Sequence, residues 1–277
     1  MRECFGERFF YNGTMYDCRD FQTAMVFEGE SVYEVIRVIR GIPLFLEDHL
    51  QRLHHTLEIQ GKNTGIRDRE IAEAVRQVIR ENRLTEGNIK IIFNFHPGAP
   101  GDIRFLVYRI EHHYPTREQY ARGVSCILYH AERPRPTAKI IHHSLRLTLY
   151  NKLIETGRYE ALLVNRQGLI TEGSRSNVFF IRGNTLLTAP DHLVLPGISR
   201  KYVLGICRDL GLTLQKEALP EKQLAGVDAA FLTGTSINIL PVSYIEEQSF
   251  SPAHPLLQTL MQEYDKIIRK HIGNVDR

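Results

Sequence analysis

Glu172 is the residue from which a chemical reading of this chain starts. It opens the polar turn of LITEGSRSNVFF, residues 169–180, between two apolar strand-like runs. Next along the chain comes LPGISR, a turn that enters a helix. A helix start presents unpaired N–H groups and a partial positive charge, so it attracts an anion. Gly197 lets the backbone approach such a group, and Ser199 adds a hydroxyl. Further on, FLTGTSINILPV places Gly234, Thr235 and Ser236 between two strands, a second nest of N–H and hydroxyl groups. Arg52, in EDHLQRL, could add a full positive charge. Taken singly, each stretch is an ordinary turn. Taken in order, they are one carboxylate and two anion cradles.

A buried carboxylate facing a pyridine nitrogen keeps that nitrogen protonated, and the ring then draws electrons from a substrate carbon. With a phosphate at its far end, such a ring is pyridoxal phosphate. Its chemistry also needs an amine that binds the cofactor and moves a proton. Two lysines lie upstream of Glu172: Lys139 in TAKIIHH and Lys152 in LYNKLIE. Lys152 sits in the middle of a helical pattern and is expected to face solvent. Lys139 sits in an extended segment between Thr137 and Ile141.

Strands and helices must position these groups. Residues 31–38 alternate as a strand, with Val32 and Glu34 on one side and Tyr33, Val35 and Arg37 on the other. A turn at Gly41–Pro43 is expected to lead into a second strand over 44–46. A helix then carries Leu46, Leu50, Leu53 and Leu57 on one stripe and stops at Gly61. Asp68 is expected to cap a second helix, with Ile71, Val75, Val78 and Ile79 inward. Strands at 89–95 and 103–110 flank the loop HPGAPGD. The polar, aperiodic EHHYPTREQY, residues 111–120, reads as a linker. Beyond it come short strands at 124–129, 161–165, 177–182, 185–188, 229–232 and 239–245. Helices are expected over 145–156 and 198–210 and at the C-terminus. The predicted fold is α+β in two domains: a small α/β domain over 1–110 and a larger strand-rich domain over 121–277.

Other chemistries lack support. A net charge of +3 is too slight to argue for nucleic acid, and no long apolar run predicts a membrane span or a signal peptide. The four cysteines are far apart and fit no metal spacing, which suits a reduced, cytoplasmic protein. The adjacent histidine pairs point apart on any regular element, so no metal is expected. The stretch ERPRPTAK reads as extended and solvated, and Phe179, Phe180 and Phe231 as core. No GxGxxG, GxxxxGK[ST] or GxSxG occurs.

The blocks SVYEVIRVIRGIPLFLEDHLQRL, YEALLVNRQGLITEGSRSNVFF, LPGISR and FLTGTSINILPV, in that order, resemble the class IV, or fold-type IV, pyridoxal-phosphate enzymes. These include branched-chain aminotransferases, D-amino acid aminotransferases and aminodeoxychorismate lyases. The resemblance implies a two-domain, homodimeric enzyme with the cofactor between its domains. It makes Lys139, twenty-one residues before Glu160, the cofactor-bound lysine. It gives Arg52, Ile198, Ser199 and Thr235 to the phosphate, Glu172 to the pyridine nitrogen and Leu195 to the underside of the ring. Tyr33 and Ser236 fall on the substrate side. The implied reaction is amino transfer between an amino acid, of branched-chain or D-type, and a 2-oxo acid. A lyase acting on aminodeoxychorismate and a non-catalytic cofactor binder are the alternatives. The chain departs from the family pattern at His142, where KxxN would place an asparagine. Where the family's strand leads to an arginine, or an arginine and a histidine, that hold the substrate carboxylate, this chain has His96 before the loop and Arg104 after it, with no RxH, and the carboxylate-binding residues stay undefined.

Overall fold

The computed structural model describes residues 3–96, 103–141 and 143–275. His142, and all of the loop HPGAPGD except His96, lie outside them. The chain divides into two compact units. The first comprises Met1–His113, Ala138–Ile141 and Ile268–Arg277, and the second Tyr114–Thr137 and His142–Ile267.

The first unit is an antiparallel sheet with two long helices. Its elements are β1 (Phe5–Tyr11), β2 (Thr14–Asp17), α1 (Ala24–Phe27), β3 (Glu30–Ile39), β4 (Ile42–Pro43), α2 (Leu46–Ile59), α3 (Asp68–Glu81), β5 (Glu86–Phe95) and β6 (Ile103–Ile110). The strand order is β2-β1-β6-β5-β3-β4. One face, bearing Val32, Ile36, Ile91 and Val107, packs on Leu50, Leu53 and Leu57 of α2 and Ile71, Val75 and Val78 of α3. Each such side chain, once buried, contributes about 1.5–3 kcal/mol. The other face carries Tyr33, Ile92, Leu106 and Tyr108 under Phe9 and Val26.

Two local readings need correction here, and one element went unread. Residues 44–46 are not a strand. Phe45 takes a left-handed φ of 54° and stops the sheet, and α2 begins at Leu46. Asp68 is the first residue of α3 rather than its cap. Arg67 holds the cap position, and the Glu70 side chain accepts its backbone N–H at 3.1 Å. The N-terminal hairpin β1–β2 has no clean alternation, so its residues do not announce it as a strand pair.

The second unit is rich in short strands. It contains α4 (Arg117–Arg122), β7 (Val124–His130), α5 (His143–Thr156), β8 (Glu160–Val164), β9 (Leu169–Gly173), β10 (Asn177–Arg182), β11 (Thr185–Leu187) and α6 (Ile198–Asp209). Then follow β12 (Thr213–Gln215), β13 (Leu219–Pro220), β14 (Ala229–Gly234), β15 (Asn238–Ile245), β16 (Gln248–Ser249) and α7 (Pro255–Val275), whose residues from Ile268 onward belong to the first unit. Helix α4 forms inside the polar 111–120 region because Thr116 and Gln119 cap each other reciprocally.

The strands run β12-β11-β10-β14-β15-β7-β8-β9-β13, and β9 also pairs with β10. That extra pairing closes the ring β10-β14-β15-β7-β8-β9, a small barrel. Val124, Leu162, Val178, Phe180, Leu232 and Val242 fill its interior. Phe179 and Phe231, one residue out of phase, stack face to face with ring centroids 5.0 Å apart. All four cysteines are buried, and none is in a disulfide. No helix among the described residues is long and apolar enough to cross a membrane.

Candidate functional site

Among the described residues, the barrel closes through the pair Glu172 and Asn177. Asn177 in turn faces Thr233 on β14. Directly opposed residues share a face, so Glu172, Asn177 and Thr233 form one row. Val178 and Leu232 point into the barrel, so this row points out of it. Ile170, two residues before Glu172, nevertheless packs inside. A register shift reconciles these facts, because β9 advances from Ile170 to Gly173 while β8 retreats only from Val164 to Leu162. The extra residue is a bulge, and it turns Glu172 to the outer face.

The loop before α6 lies against this row. The Leu195 N–H donates to Glu172 Oε2 at 3.1 Å, and Asn177 Nδ2 donates to the Leu195 carbonyl at 2.9 Å. A Cβ on Gly197 would lie 2.1 Å from Asn177 Oδ1, so no other residue fits there without displacement. Gly197 is the N-cap of α6 and offers no side-chain cap, and the first turn carries no acidic residue. The positive helix end is left uncompensated by any side chain of that turn. Ile198 and Ser199 are buried there. Tyr264 donates its hydroxyl to Ser199 Oγ at 2.9 Å, which leaves the Ser199 proton to donate elsewhere. Thr233 Oγ1 is buried with no hydrogen-bond partner among the described residues. Thr235 and Ser236 lie in the half-buried turn that follows β14.

Two further acidic and basic groups complete this side. Glu172 is 2% exposed, and its Oε1 lies 3.3 Å from Arg133 Nε. Arg133 also donates from Nη2 to the carbonyls of Ser174, at 2.7 Å, and Gly173, at 3.3 Å. The expectation that ERPRPTAK is simply solvated therefore fails at Arg133. Pro134 and a left-handed Arg135 bend the segment, which its basic composition does not reveal. Glu160, buried on β8, accepts from the Ser174 N–H at 3.1 Å and from Ser176 Oγ at 2.9 Å, and also from the Ser174 hydroxyl. It fixes the turn that follows Glu172.

In the first unit, Lys139 lies on a short extended segment added to β3. Ile140 bridges to Val32, the Tyr33 N–H donates to the Lys139 carbonyl at 3.1 Å, and the Lys139 N–H donates to Thr56 Oγ1 at 3.3 Å. Lys139 Nζ stands 4.8 Å from the centre of the Tyr33 ring. Lys152 instead projects from α5 toward solvent and pairs with Glu155 at 3.2 Å.

Arg52 is buried and meets Glu34 through two bonds, Nε to Oε1 at 2.7 Å and Nη2 to Oε2 at 2.6 Å. His49 Nδ1 lies 2.8 Å from the same carboxylate. Burial pushes the Glu34 pKa up. The charge and hydrogen bond of Arg52, with His49 helping, outweigh it and hold the group at about 2. Burial lowers the pKa of His49, against the opposing pull of Glu34. Glu34 and His49, which hold Arg52, are partners that sequence reasoning missed. The signal was present, since an acidic residue at an inward strand position demands a cation. Arg104 donates to the Ala24 carbonyl at 3.2 Å, near Glu28.

The sequence matches the amino-transferase class IV family over residues 31–245. It is 29% identical to the D-alanine aminotransferase of Bacillus licheniformis over 236 residues, 82% of this chain and 83% of that one. It is 24% identical to the aminodeoxychorismate lyase of Bacillus subtilis over 257 residues, 88% and 87% of the two chains. The fold resembles that of the branched-chain amino acid aminotransferase of Escherichia coli. The TM-score is 0.85 at 23% identity, covering 95% of each chain. With the family matched across most of its length, this chain belongs to the class IV aminotransferases.

Proposed function

We propose that the protein is a pyridoxal-phosphate-dependent aminotransferase that moves an amino group between an amino acid, of branched-chain or D-type, and a 2-oxo acid. Family membership supports the reaction class. Structures of a branched-chain relative solved with pyridoxamine 5'-phosphate and with N-(5'-phosphopyridoxyl)-L-glutamate support the cofactor. The observation that carries the proposal is the row Glu172–Asn177–Thr233 beside the uncapped start of α6. It combines a buried carboxylate suited to a ring nitrogen with N–H groups and hydroxyls suited to a phosphate. The unpartnered Thr233 hydroxyl fits a ligand with polar groups.

When bound, pyridoxal phosphate supplies an aldehyde for the amino group and a ring that accepts the electrons released at the α-carbon. Lys139 Nζ is the group that would hold the cofactor, take the substrate α-proton and return it during transfer. Glu172 would accept a hydrogen bond from the protonated ring nitrogen, and Arg133 and the Leu195 N–H hold that carboxylate in place. Ile198, Ser199, Thr235 and Arg52 are the residues that would hold the phosphate, Leu195 would support the ring, and Tyr33 and Ser236 would serve the substrate. The working form is a cytoplasmic homodimer.

Visible absorbance of the purified protein tests this directly. Lys139→Ala is expected to abolish the band of lysine-bound cofactor and the amino transfer, and Lys152→Ala to leave both intact. Retention of the band in Lys139→Ala would overturn the assignment. The Bacillus subtilis relative supports a second reading, a lyase acting on aminodeoxychorismate. Formation of p-aminobenzoate and pyruvate without an oxo-acid acceptor would select it over amino transfer.

A further inference from the structure

Tyr264 carries a buried hydroxyl that the reaction as described does not use. It lies on α7, within the second unit, and is 1% exposed. Leu260 and Leu257, one and two helical turns earlier, are buried on the same face. Tyr202 of α6 meets the Tyr264 ring edge-on, with ring centroids 6.5 Å apart. A phenylalanine would satisfy all of this packing. The hydroxyl needs a reason of its own, because a buried O–H is costly unless it is bonded.

That hydroxyl meets Ser199 Oγ at 2.9 Å, and Ser199 is itself 3% exposed. Ser199 is the second residue of α6, at a helix start without a side-chain cap. A hydroxyl has one proton and two lone pairs. A phosphate at neutral pH offers acceptor oxygens. If Ser199 gives its proton to such an oxygen, it must accept from Tyr264. The protons then run in one direction, from the phenol to the serine and from the serine to the anion. In such a chain each bond polarises the next. With the phenol donating, the serine proton is also barred from turning back toward α7.

We propose that Tyr264 is a positioning residue for phosphate: through Ser199 it aims a proton at the anion held at the start of α6. This deepens the pyridoxal-phosphate reading and rests on it.

The test compares two ligands on the full-length protein after dialysis has removed its cofactor. Pyridoxal 5'-phosphate carries the anion, and pyridoxal has the same ring and aldehyde without it. Fluorescence titration gives both affinities. Phenylalanine keeps the buried ring, so Tyr264→Phe retains the fold. In this variant affinity for pyridoxal 5'-phosphate is expected to fall about fivefold, with pyridoxal unchanged. In Ser199→Ala the phosphate-specific loss should be about tenfold, and adding Tyr264→Phe should cost nothing further. A residue that merely fills space would weaken both ligands alike and would add its loss to that of Ser199→Ala. Equal losses for the two ligands, additive losses in the double variant, or unchanged affinity in Tyr264→Phe would overturn the proposal. A wild type that takes up pyridoxal as tightly as its phosphate removes the anion from α6, and this proposal with it. A wild type that takes up neither removes the aminotransferase reading on which the proposal rests.

Discussion

Glu34 is a buried carboxylate that keeps its charge because Arg52 grips both of its oxygens. Neutralising it takes the counter-charge away from a buried guanidinium. Glu34→Gln is therefore expected to cost about 3–5 kcal/mol in urea unfolding. The pair also makes stability depend on pH. His49 has a folded pKa below its ordinary 6.5, so the unfolded chain takes up a proton that the fold resists, and stability starts to drop as pH falls through 6.5. Glu34 has a folded pKa of about 2 against an ordinary 4.5. Its contribution is whole above 4.5 and is lost as pH falls from there toward 2. A pH series of unfolding free energies should show both slopes in the wild type. The lower one should be absent from Glu34→Gln.

The residues of the candidate site were legible to unequal degrees. Glu172, Ser199 and Thr235 stand at or beside turns whose composition suggests a carboxylate and two anion cradles. Arg133, Glu160 and Asn177 could not be ranked this way, because their partners lie far away in sequence and only the barrel brings them together.

Among the elements, strands β3, β5, β6 and β10 and helices α2, α3, α6 and α7 followed from their periods of two or 3.6. Local backbone geometry was harder to read. The left-handed Phe45 carries no sequence mark, since glycine or asparagine would ordinarily signal it. The bulge in β9 is equally silent, yet it decides which face Glu172 occupies. The turn at 195–197 depends on a missing Cβ. Gly197→Ala would push a methyl group into Asn177 Oδ1 and displace the start of α6. Cofactor affinity, followed by fluorescence titration, is expected to fall at least tenfold, or about 1.4 kcal/mol. The melting temperature of the cofactor-free protein should change less. An unchanged affinity would detach α6 from phosphate binding.

At the scale of the whole molecule, family and α+β architecture were readable from four sequence blocks, and the family match and the solved relatives bear both out. Assembly is a separate matter, with its own physical marker. Helix α5 exposes Leu147, Tyr150 and Ile154, which recur at helical spacing on one face. Such a stripe favours cover by a second copy. Leu147→Asp combined with Ile154→Asp is expected to convert a dimer into a monomer in sedimentation equilibrium. A wild type that sediments as a monomer would remove the dimer from the proposed function.

The shut-in sulfur atoms have a practical consequence. Cys4, Cys18, Cys126 and Cys207 are distributed over both units, and burial raises the pKa of Cys126 and pushes that of Cys207 up to about 11. A maleimide should thus react slowly with the native protein. Its rate at each position, read by peptide mass mapping, becomes a clock for how often that part of the polypeptide breathes open.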